Sequence, residues 1–356
     1  MESTIRGRLL KEPPPSPSLS AWLERANDGD LFRINARRLA PTLGMELGPL
    51  LDWLFRMVAS GALDLNWEYH CPHCNAVPGF THNFGELRDQ AHCSLCQVDF
   101  RNELDRNVEV TFSLGAALGG PPAGLVKKNM DETLAARSRN ELTMPSPFLS
   151  GLDCLTSPVF RELFGEDVLS TEESLSVSRV AFLFTDIKGS TALYSRVGDA
   201  MAYRLVREHF KILFNRVERA GGTVVKTIGD AVMAAFARPD MAADAAIACY
   251  EEFQRREFGS VGKFEIKMGI HAGPAIVVTM NDRLDYFGST VNLAARVQQL
   301  AENHTVYFTA DVARDPPAKA EIAAWLLRSG GRVVRKRERL KGIESEVDVY
   351  RIVEKA

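Results

Sequence analysis

The sequence predicts an α+β protein. Its C-terminal half reads as a ferredoxin-like antiparallel sheet with helices, and its N-terminal half as a small helical, winged-helix-like module joined to a cysteine ribbon. Three observations lead there. From Arg179 onward, strand-like and helix-like runs follow the order β-α-β-β-α-β. Ahead of them, four cysteines stand in two close pairs, preceded by three helical stretches. Two acids, Asp186 and Asp230, lie at the ends of strand-like runs, where an unpartnered carboxylate costs desolvation energy.

At 356 residues two domains are expected, and 46% hydrophobic with 25% charged residues is enough to build packed cores. A net charge of −3 gives no global attraction to nucleic acid or to a membrane surface. The most apolar stretch, Leu114 to Val126, is broken by Gly and Pro and is too short to span a bilayer. Met1 to Arg8 leads into Pro13-Pro14-Pro15 without an apolar signal core. Six cysteines in a chain of this length do not form a disulfide framework. A soluble cytoplasmic protein is expected.

In order, residues 1–17 are rich in Pro and Ser and are expected to be disordered. Residues 18–113 form the first module. Leu19, Trp22 and Leu23 have helical spacing, Asn35–Ala40 makes a second short segment and Leu47–Met57 a third. The strand Ala62–Tyr69 follows, and Val108–Ser113 closes the module; a plain helical support for the rest of the chain is the alternative to a winged helix. Residues 114–177 contain Gly119-Gly-Pro-Pro-Ala-Gly124 and read as a linker ending in a lead-in helix, Phe160–Val168.

Residues 178–356 are the clearest. Strand 179–187 precedes a helix at 199–219 whose Val206, Phe210, Leu213, Phe214 and Val217 share a face. Hairpin 223–236, a helix from Pro239 to 257 and strand 264–270 complete the unit. Beyond lie strand 275–280, helix 290–301, strand 305–309, helix 318–328 and a hairpin of 332–340 with 347–353. No internal repeat is present.

Cys71-Pro-His-Cys74 and Cys93-Ser-Leu-Cys96 form CxxC-x18-CxxC, a spacing that places four thiolates around one structural Zn2+. Four protein ligands close the shell against catalysis. His70, His73 and His92 flank the quartet in surface or supporting roles, and Cys154 and Cys249 read as ordinary half-buried cysteines. Near-neutral charge argues against nucleic acid as the partner of this module, leaving an unknown regulator or effector.

Asp186 ends Val180-Ala-Phe-Leu-Phe-Thr-Asp and opens Ile187-Lys-Gly-Ser-Thr191; Asp230 follows Gly229 between two strand-like runs. Singly they read as a helix cap and a turn residue. Together, beside Gly189, Ser190 and Thr191 at a helix start, they suit a metal-bound phosphate.

Phe184-Thr-Asp-Ile-Lys-Gly-Ser-Thr191, Lys226-Thr-Ile-Gly-Asp-Ala-Val-Met233 and Asp285-Tyr-Phe-Gly-Ser-Thr-Val-Asn-Leu-Ala-Ala-Arg296 resemble three signature segments of the class III nucleotidyl cyclases, the adenylate and guanylate cyclases. The resemblance covers about residues 178 to 354. It implies that Asp186, Asp230 and the backbone carbonyl of Ile187 hold two Mg2+ or Mn2+ ions. Asn292 would orient the ribose and Arg296 stabilise the transition state. Lys226 and Asp285 match the adenine-reading pair, so ATP is the implied substrate and 3′,5′-cyclic AMP the product. Lys341 is the nearest match to a triphosphate-binding lysine, although Arg335, Lys336, Arg337 and Arg339 stand close by and read as a solvated strand edge. His271, in Gly269-Ile-His-Ala-Gly273, is expected to be structural.

In that family two catalytic domains share each site. One such domain carrying both residue sets therefore implies a homodimer. The alternatives are a cyclase for another nucleoside triphosphate, yielding cyclic GMP or a cyclic pyrimidine nucleotide, and a catalytically silent nucleotide-binding regulator acting through the zinc module.

Overall fold

The computed structural model describes residues 13–139, 141–259, 262–301, 304–343 and 345–353. Most of the segment expected to be disordered, 1–17, lies outside them, while Pro17 already begins a helix. Two compact units result. The first runs to Leu155 and takes in Val159–Val177 and Val277–Leu284; the second holds Thr156–Pro158, Ser178–Ile276 and the chain from Asp285.

In the first unit, Ser16 caps α1 (Pro17–Arg25) by accepting from the Leu19 N–H, and Asn35 caps α2 (Ala36–Thr42) by accepting from the Arg38 N–H. α3 (Leu47–Ala59) buries Leu50, Trp53, Leu54, Phe55 and Met57. The strands are β1 (Leu63–Tyr69), β2 (Gly79–Thr81), β3 (Gln90–Cys93), β4 (Val98–Arg101) and β5 (Val108–Leu114). β1 and β5 are antiparallel from Leu63↔Leu114 to Tyr69↔Val108, and Ile34 bridges Phe112 on the far edge of β5. Helix, bridging residue, two helices and two strands is a winged-helix layout, with β2 to β4 inserted as an enlarged wing. Leu65, Trp67, Val110 and Phe112 face an aromatic core in which Phe55 lies 5.8 Å from Phe112 and 5.3 Å from Phe160.

The segment 114–177 is more structured than a linker. It contains α4 (Ala123–Ser138), α5 (Gly151–Leu155) and α6 (Pro158–Phe164). Leu149, Leu152, Leu155 and Phe160 are buried because the chain here is tied to the first unit: the Val110 N–H donates to the Leu149 carbonyl, and Arg37 pairs with Asp153 at 2.7 Å. Cys154, expected to be half-buried, is completely enclosed there, and burial pushes its thiol pKa well up.

In the second unit the elements are β6 (Leu175–Ile187), α7 (Ser190–Val197), α8 (Asp199–Arg219), β7 (Thr223–Ile228), β8 (Ala231–Phe236), α9 (Pro239–Arg255), β9 (Ile266–Met280), β10 (Arg283–Phe287), α10 (Ser289–Gln299), β11 (Thr305–Thr309), α11 (Ala310–Ala313), α12 (Pro316–Ser329), β12 (Arg332–Arg339) and β13 (Glu346–Val353). β6 begins in the first unit, and so does the end of β9. The sheet order β12-β13-β11-β9-β6-β8-β7 contains the ferredoxin-like order β9-β6-β8-β7 at one end. α8, α9 and α12 share one apolar core with the sheet, contributing Leu213, Ala246, Phe253 and Trp325 among others. Cys249 is fully enclosed in this core, not half-buried, and burial pushes its pKa up to about 12. His209 of α8 is equally enclosed, and burial lowers its pKa to about 4, so it is neutral at pH 7.

The strands expected at 264–270 and 275–280 are one strand, β9. Gly273-Pro274 does not end it, since the Pro274 carbonyl is held by the Thr290 hydroxyl. β9 turns into β10 through Asn281-Asp282, whose φ values of 52° and 57° suit a two-residue hairpin loop.

β9 also sets the height of α10. A Cβ on Gly269 would lie 2.2 Å from the Gln298 backbone nitrogen and 2.5 Å from its Cα. Gly269→Ala is expected to destabilise the second unit by about 2–3 kcal/mol through overpacking against backbone. Thermal unfolding checks this; an unchanged Tm would show that α10 does not sit tightly on the sheet.

Candidate active site

The site begins with the register of β6 against β8. Phe184 pairs with Met233 and Thr185 with Val232, so the next residue, Asp186, arrives level with the hairpin tip where Asp230 follows Gly229. The Ile187 N–H donates to the Asp230 carboxylate at 3.2 Å. Burial, and then the adjacent Asp230, push the Asp186 pKa up to about 6, tempered by Lys267. Burial and the same two acids raise the Tyr194 phenol. Two carboxylates crowded in a half-buried place, one of them resisting ionisation, form a donor set that fits a hard divalent cation.

Gly189, with φ of 71°, makes the left-handed turn out of β6 and is the N-cap of α7 without a capping side chain. The first amides of α7, at Ser190 and Thr191, are thus left for an anion. The Thr191 side chain is outside the described residues. Lys267 and Tyr194 were missed by sequence reasoning. Lys267 had a signal, as a lone charge inside the apolar run of β9; Tyr194 had none.

The other expected residues lie at further places in the unit. Lys226 of β7 and Asp285 of β10 form a close ion pair. The Asp285 carboxylate is buried and also accepts from the Tyr286 N–H at 2.8 Å. Asn292 and Arg296 lie one turn apart on α10, where Asn292 is exposed and Arg296 donates to Gln299 at 2.9 Å. Lys341 is exposed in the loop after β12, and its neighbours Leu340 and Ile343 pack with Val297 and Leu293 of α10. Among the described residues, no hydrogen bond or ion pair joins Asp186 or Asp230 to Lys226, Asp285, Asn292 or Arg296. The basic run nearby is a solvated edge: β12 ends the sheet, and Arg335 and Arg337 both pair with Asp348. His271 is buried, shares a 2.8 Å hydrogen bond with Thr309, and has a pKa lowered to about 4 by burial, as a structural residue should.

In the first unit the four cysteine sulfurs lie within 4.8 Å of one another, with Cys71–Cys96 at 3.5 Å and Cys74–Cys93 at 3.7 Å. A tetrahedron with ~2.3 Å Zn–S bonds has edges of ~3.8 Å, so the quartet fits zinc. Both knuckles are built alike. The Asn75 N–H donates to the Cys71 carbonyl and the Gln97 N–H to the Cys93 carbonyl, each at 2.8 Å, and Asn75 and Gln97 both have φ of 57°. Burial opposes ionisation of Cys93, but backbone N–H groups of Cys96 and Leu95 overcome it and hold its pKa at about 7. His70 is buried against Glu109 and His92 pairs with Asp99 on the surface, so neither joins the quartet.

Residues 172–316 match the family model of the adenylate and guanylate cyclase catalytic domain, and residues 11–119 match a family of unknown function (DUF5939). The first of these segments, about two fifths of the chain, is therefore similar to the catalytic domains of the adenylate and guanylate cyclases. It is 25% identical over 193 residues to an adenylate cyclase of Anabaena cylindrica, covering 50% of this chain and 37% of that protein. It is 30% identical over 176 residues to adenylate cyclase 2 of Rhizobium meliloti, covering 43% and 48%. The chain thus spans less than half the length of either relative. Among solved structures, the adenylyl cyclase CyaB of P. aeruginosa aligns with a TM-score of 0.43 at 23% identity, covering 52% of this chain and 97% of that one.

The raised pKa of Asp186 makes a prediction about stability. The folded state holds this proton up to about pH 6, whereas an ordinary aspartate releases it near 3.8. Without metal, stability therefore falls as pH rises through that window and remains reduced at pH 7. Asp186→Asn is expected to be more stable than the parent at pH 7.5 by about 1 kcal/mol after solvent screening, with the difference shrinking toward pH 4. Thermal unfolding without added Mg2+ or Mn2+ measures this. Equal Tm values at pH 7.5 would mean that the two carboxylates do not repel.

Proposed function

We propose that this protein is an adenylate cyclase, converting ATP to 3′,5′-cyclic AMP and pyrophosphate in the cytoplasm as a homodimer with two equivalent sites. The observation that carries the reading is the Asp186–Asp230 pair, whose mutual repulsion is relieved only by protonation or by a cation. Among the described residues, no helix is long and apolar enough to cross a membrane.

Asp186, Asp230 and the carbonyl of Ile187 would hold two ions, Mg2+ or Mn2+. When bound, these lower the pKa of the ribose 3′-hydroxyl and offset the triphosphate charge. The amides following Gly189 receive phosphate oxygens, and Lys341 adds a cation to the triphosphate. The 3′-oxygen attacks the α-phosphorus, its proton leaves to solvent, and the bond to the bridging oxygen breaks to release pyrophosphate. Asn292 orients the ribose, and Arg296 donates to the α-phosphoryl oxygens as their charge grows.

Adenine is favoured by chemistry. Asp285 accepts from the exocyclic N6 amine and Lys226 donates to N1. The O6 of guanine would set an acceptor against the carboxylate.

The homodimer reading is supported by the absence, among the described residues, of any hydrogen bond or ion pair between the metal acids and Lys226, Asp285, Asn292 or Arg296, which suits two half-sites completed by a partner chain. In the first unit, the cysteine quartet would hold one structural Zn2+, and the module would serve an unknown regulator or effector.

Three measurements test this reading. Incubation with each of the four nucleoside triphosphates and Mg2+ or Mn2+ should yield cyclic AMP chiefly. No product from any of them, with Asp186→Ala indistinguishable from the parent, removes the enzyme reading, and a different cyclic product corrects the base. Mixing Asp186→Ala with Arg296→Ala protein should restore roughly a quarter of parental activity, since about half of the dimers are mixed and each of these carries one intact site of two; no recovery refutes the shared site. Metal analysis should find one zinc per chain, lost in Cys71→Ser. Full occupancy in that variant refutes the zinc assignment.

A further inference from the structure

The β1–β5 pair of the first unit has a second face that needs explanation. Opposite its aromatic core lie Asn66, Glu68, Glu109, Thr111 and Ser113, and they are buried as deeply as the core itself: Glu109 and Thr111 are each 2% exposed and Glu68 3%. Glu68 and Glu109 face each other directly in the register, which repels. Arg33 offsets this by donating to both oxygens of Glu68. Asn35 at 3.1 Å and His70 at 2.8 Å hold the two oxygens of Glu109. His70 Nδ1, also buried, has no partner among the described residues. Apolar side chains of similar size would be at least as stable here. Stability alone therefore does not account for the face.

The helix beside it is oriented against the usual rule. α4 leaves Val126, Met130 and Leu134 exposed, while Lys128, Asn129 and Glu132 line a cavity of about 380 Å³ whose other wall includes Arg33, Asn35, Glu109 and Thr111. Arg33 Nη1 donates to Asn129 Oδ1 at 3.3 Å. Arg38 also lines the cavity.

The unused hydrogen-bonding capacity of the cavity is specific. Among the described residues, the Arg38 side chain makes one long contact, to the Ser146 carbonyl at 3.4 Å, and Lys128 reaches only Glu132, at 3.8 Å. A guanidinium has five N–H donors and an ammonium three, so most of them remain for a ligand. Each Glu109 oxygen receives one of the above bonds and keeps a second acceptor position. Cationic donors, the exposed Glu132 carboxylate beside Lys128 and one buried, fixed acceptor, Glu109, thus line the same space.

We propose that this cavity binds a small organic anion, with its carboxylate or phosphate held by Arg38 and Lys128 and a hydroxyl or amino donor held by Glu109. This makes the first unit a ligand-binding module, independently of which nucleotide the second unit uses.

The test uses the full chain with glycerol 3-phosphate and with malate, which carry a hydroxyl beside a phosphate and a carboxylate respectively. At saturating concentration at least one of them raises Tm by several degrees, and which one does so identifies the anion. The Arg38→Gln/Lys128→Gln double variant, altered only at exposed side chains, retains parental Tm without ligand and loses the shift. Glu109→Gln weakens the better of the two probes more than it weakens inorganic phosphate, which has no separate organic donor. No shift with either probe overturns the proposal, and so does a shift that survives in the double variant, which places binding elsewhere.

Discussion

Thr185 of β6 faces Val232 of β8, and on that register depends everything else in the second unit. It brings Asp186 to the hairpin tip beside Asp230, at the cost of crowding two like charges into a half-buried place. Strand side chains alternate with period two, so a one-residue slip would turn Asp186 away and exchange the buried row Ala181, Leu183 and Thr185 with the bulkier Phe182 and Phe184, which are buried on the opposite face. The core therefore enforces the repulsion. Helices α8 and α9 fix the sheet through one apolar cluster, and the energy gained there is large compared with the electrostatic cost at the strand end. This is the usual relation between a rigid scaffold and a site that is unfavourable until occupied.

The first unit uses an antiparallel pair differently. One face of β1–β5 obeys the simple rule, with Trp67 and Phe112 in an aromatic core. The hairpin connection is replaced by the cysteine ribbon, which enters just past Tyr69 and returns just before Val108. Matching knuckles at Cys71 and Cys93 allow this long insertion to close on itself with four sulfurs as its centre, because β3 and β4 alone are too short to build a core. The wing is thus a folded body, and the β1–β5 register runs unbroken beneath it.

Much of this was legible in the sequence, and the reasons differ by element. Helix 199–219 was readable because its apolar positions repeat with the period of 3.6, and strand 305–309 because Val306-Tyr307-Phe308 is a short apolar run of the kind buried on both faces. The acid pair, the Lys226–Asp285 pair and the Asn292/Arg296 turn were found as segments, and the structure places each group together. What failed had no local signal. Gly273-Pro274 reads as a break, yet strand β9 passes through it, with the Pro274 carbonyl accepting from the Thr290 hydroxyl of helix α10. Residues 114–177 read as a linker ending in a lead-in helix, but backbone bonds from β5 and the Arg37–Asp153 pair draw part of this segment into the core. The alternation Asn66, Glu68 and Glu109, Thr111, Ser113 is that of a solvated face. Only tertiary structure shows that it is enclosed.

The Lys226–Asp285 pair links these themes. A lysine and an aspartate in contact satisfy each other, so a base that uses both must replace part of that attraction with bonds of its own. Asp285 is buried and already receives the Tyr286 N–H, which fixes the direction of its free lone pairs. Lys226 is less enclosed and can swing on its long stem while the carboxylate cannot. Discrimination should therefore rest on the aspartate. A base edge presenting an amine would meet an oriented acceptor, whereas one presenting a carbonyl would leave a buried carboxylate facing an oxygen, the costlier error. In the proposed adenylate cyclase, the lysine would supply affinity and charge balance, and the more rigid acid would carry the choice of base.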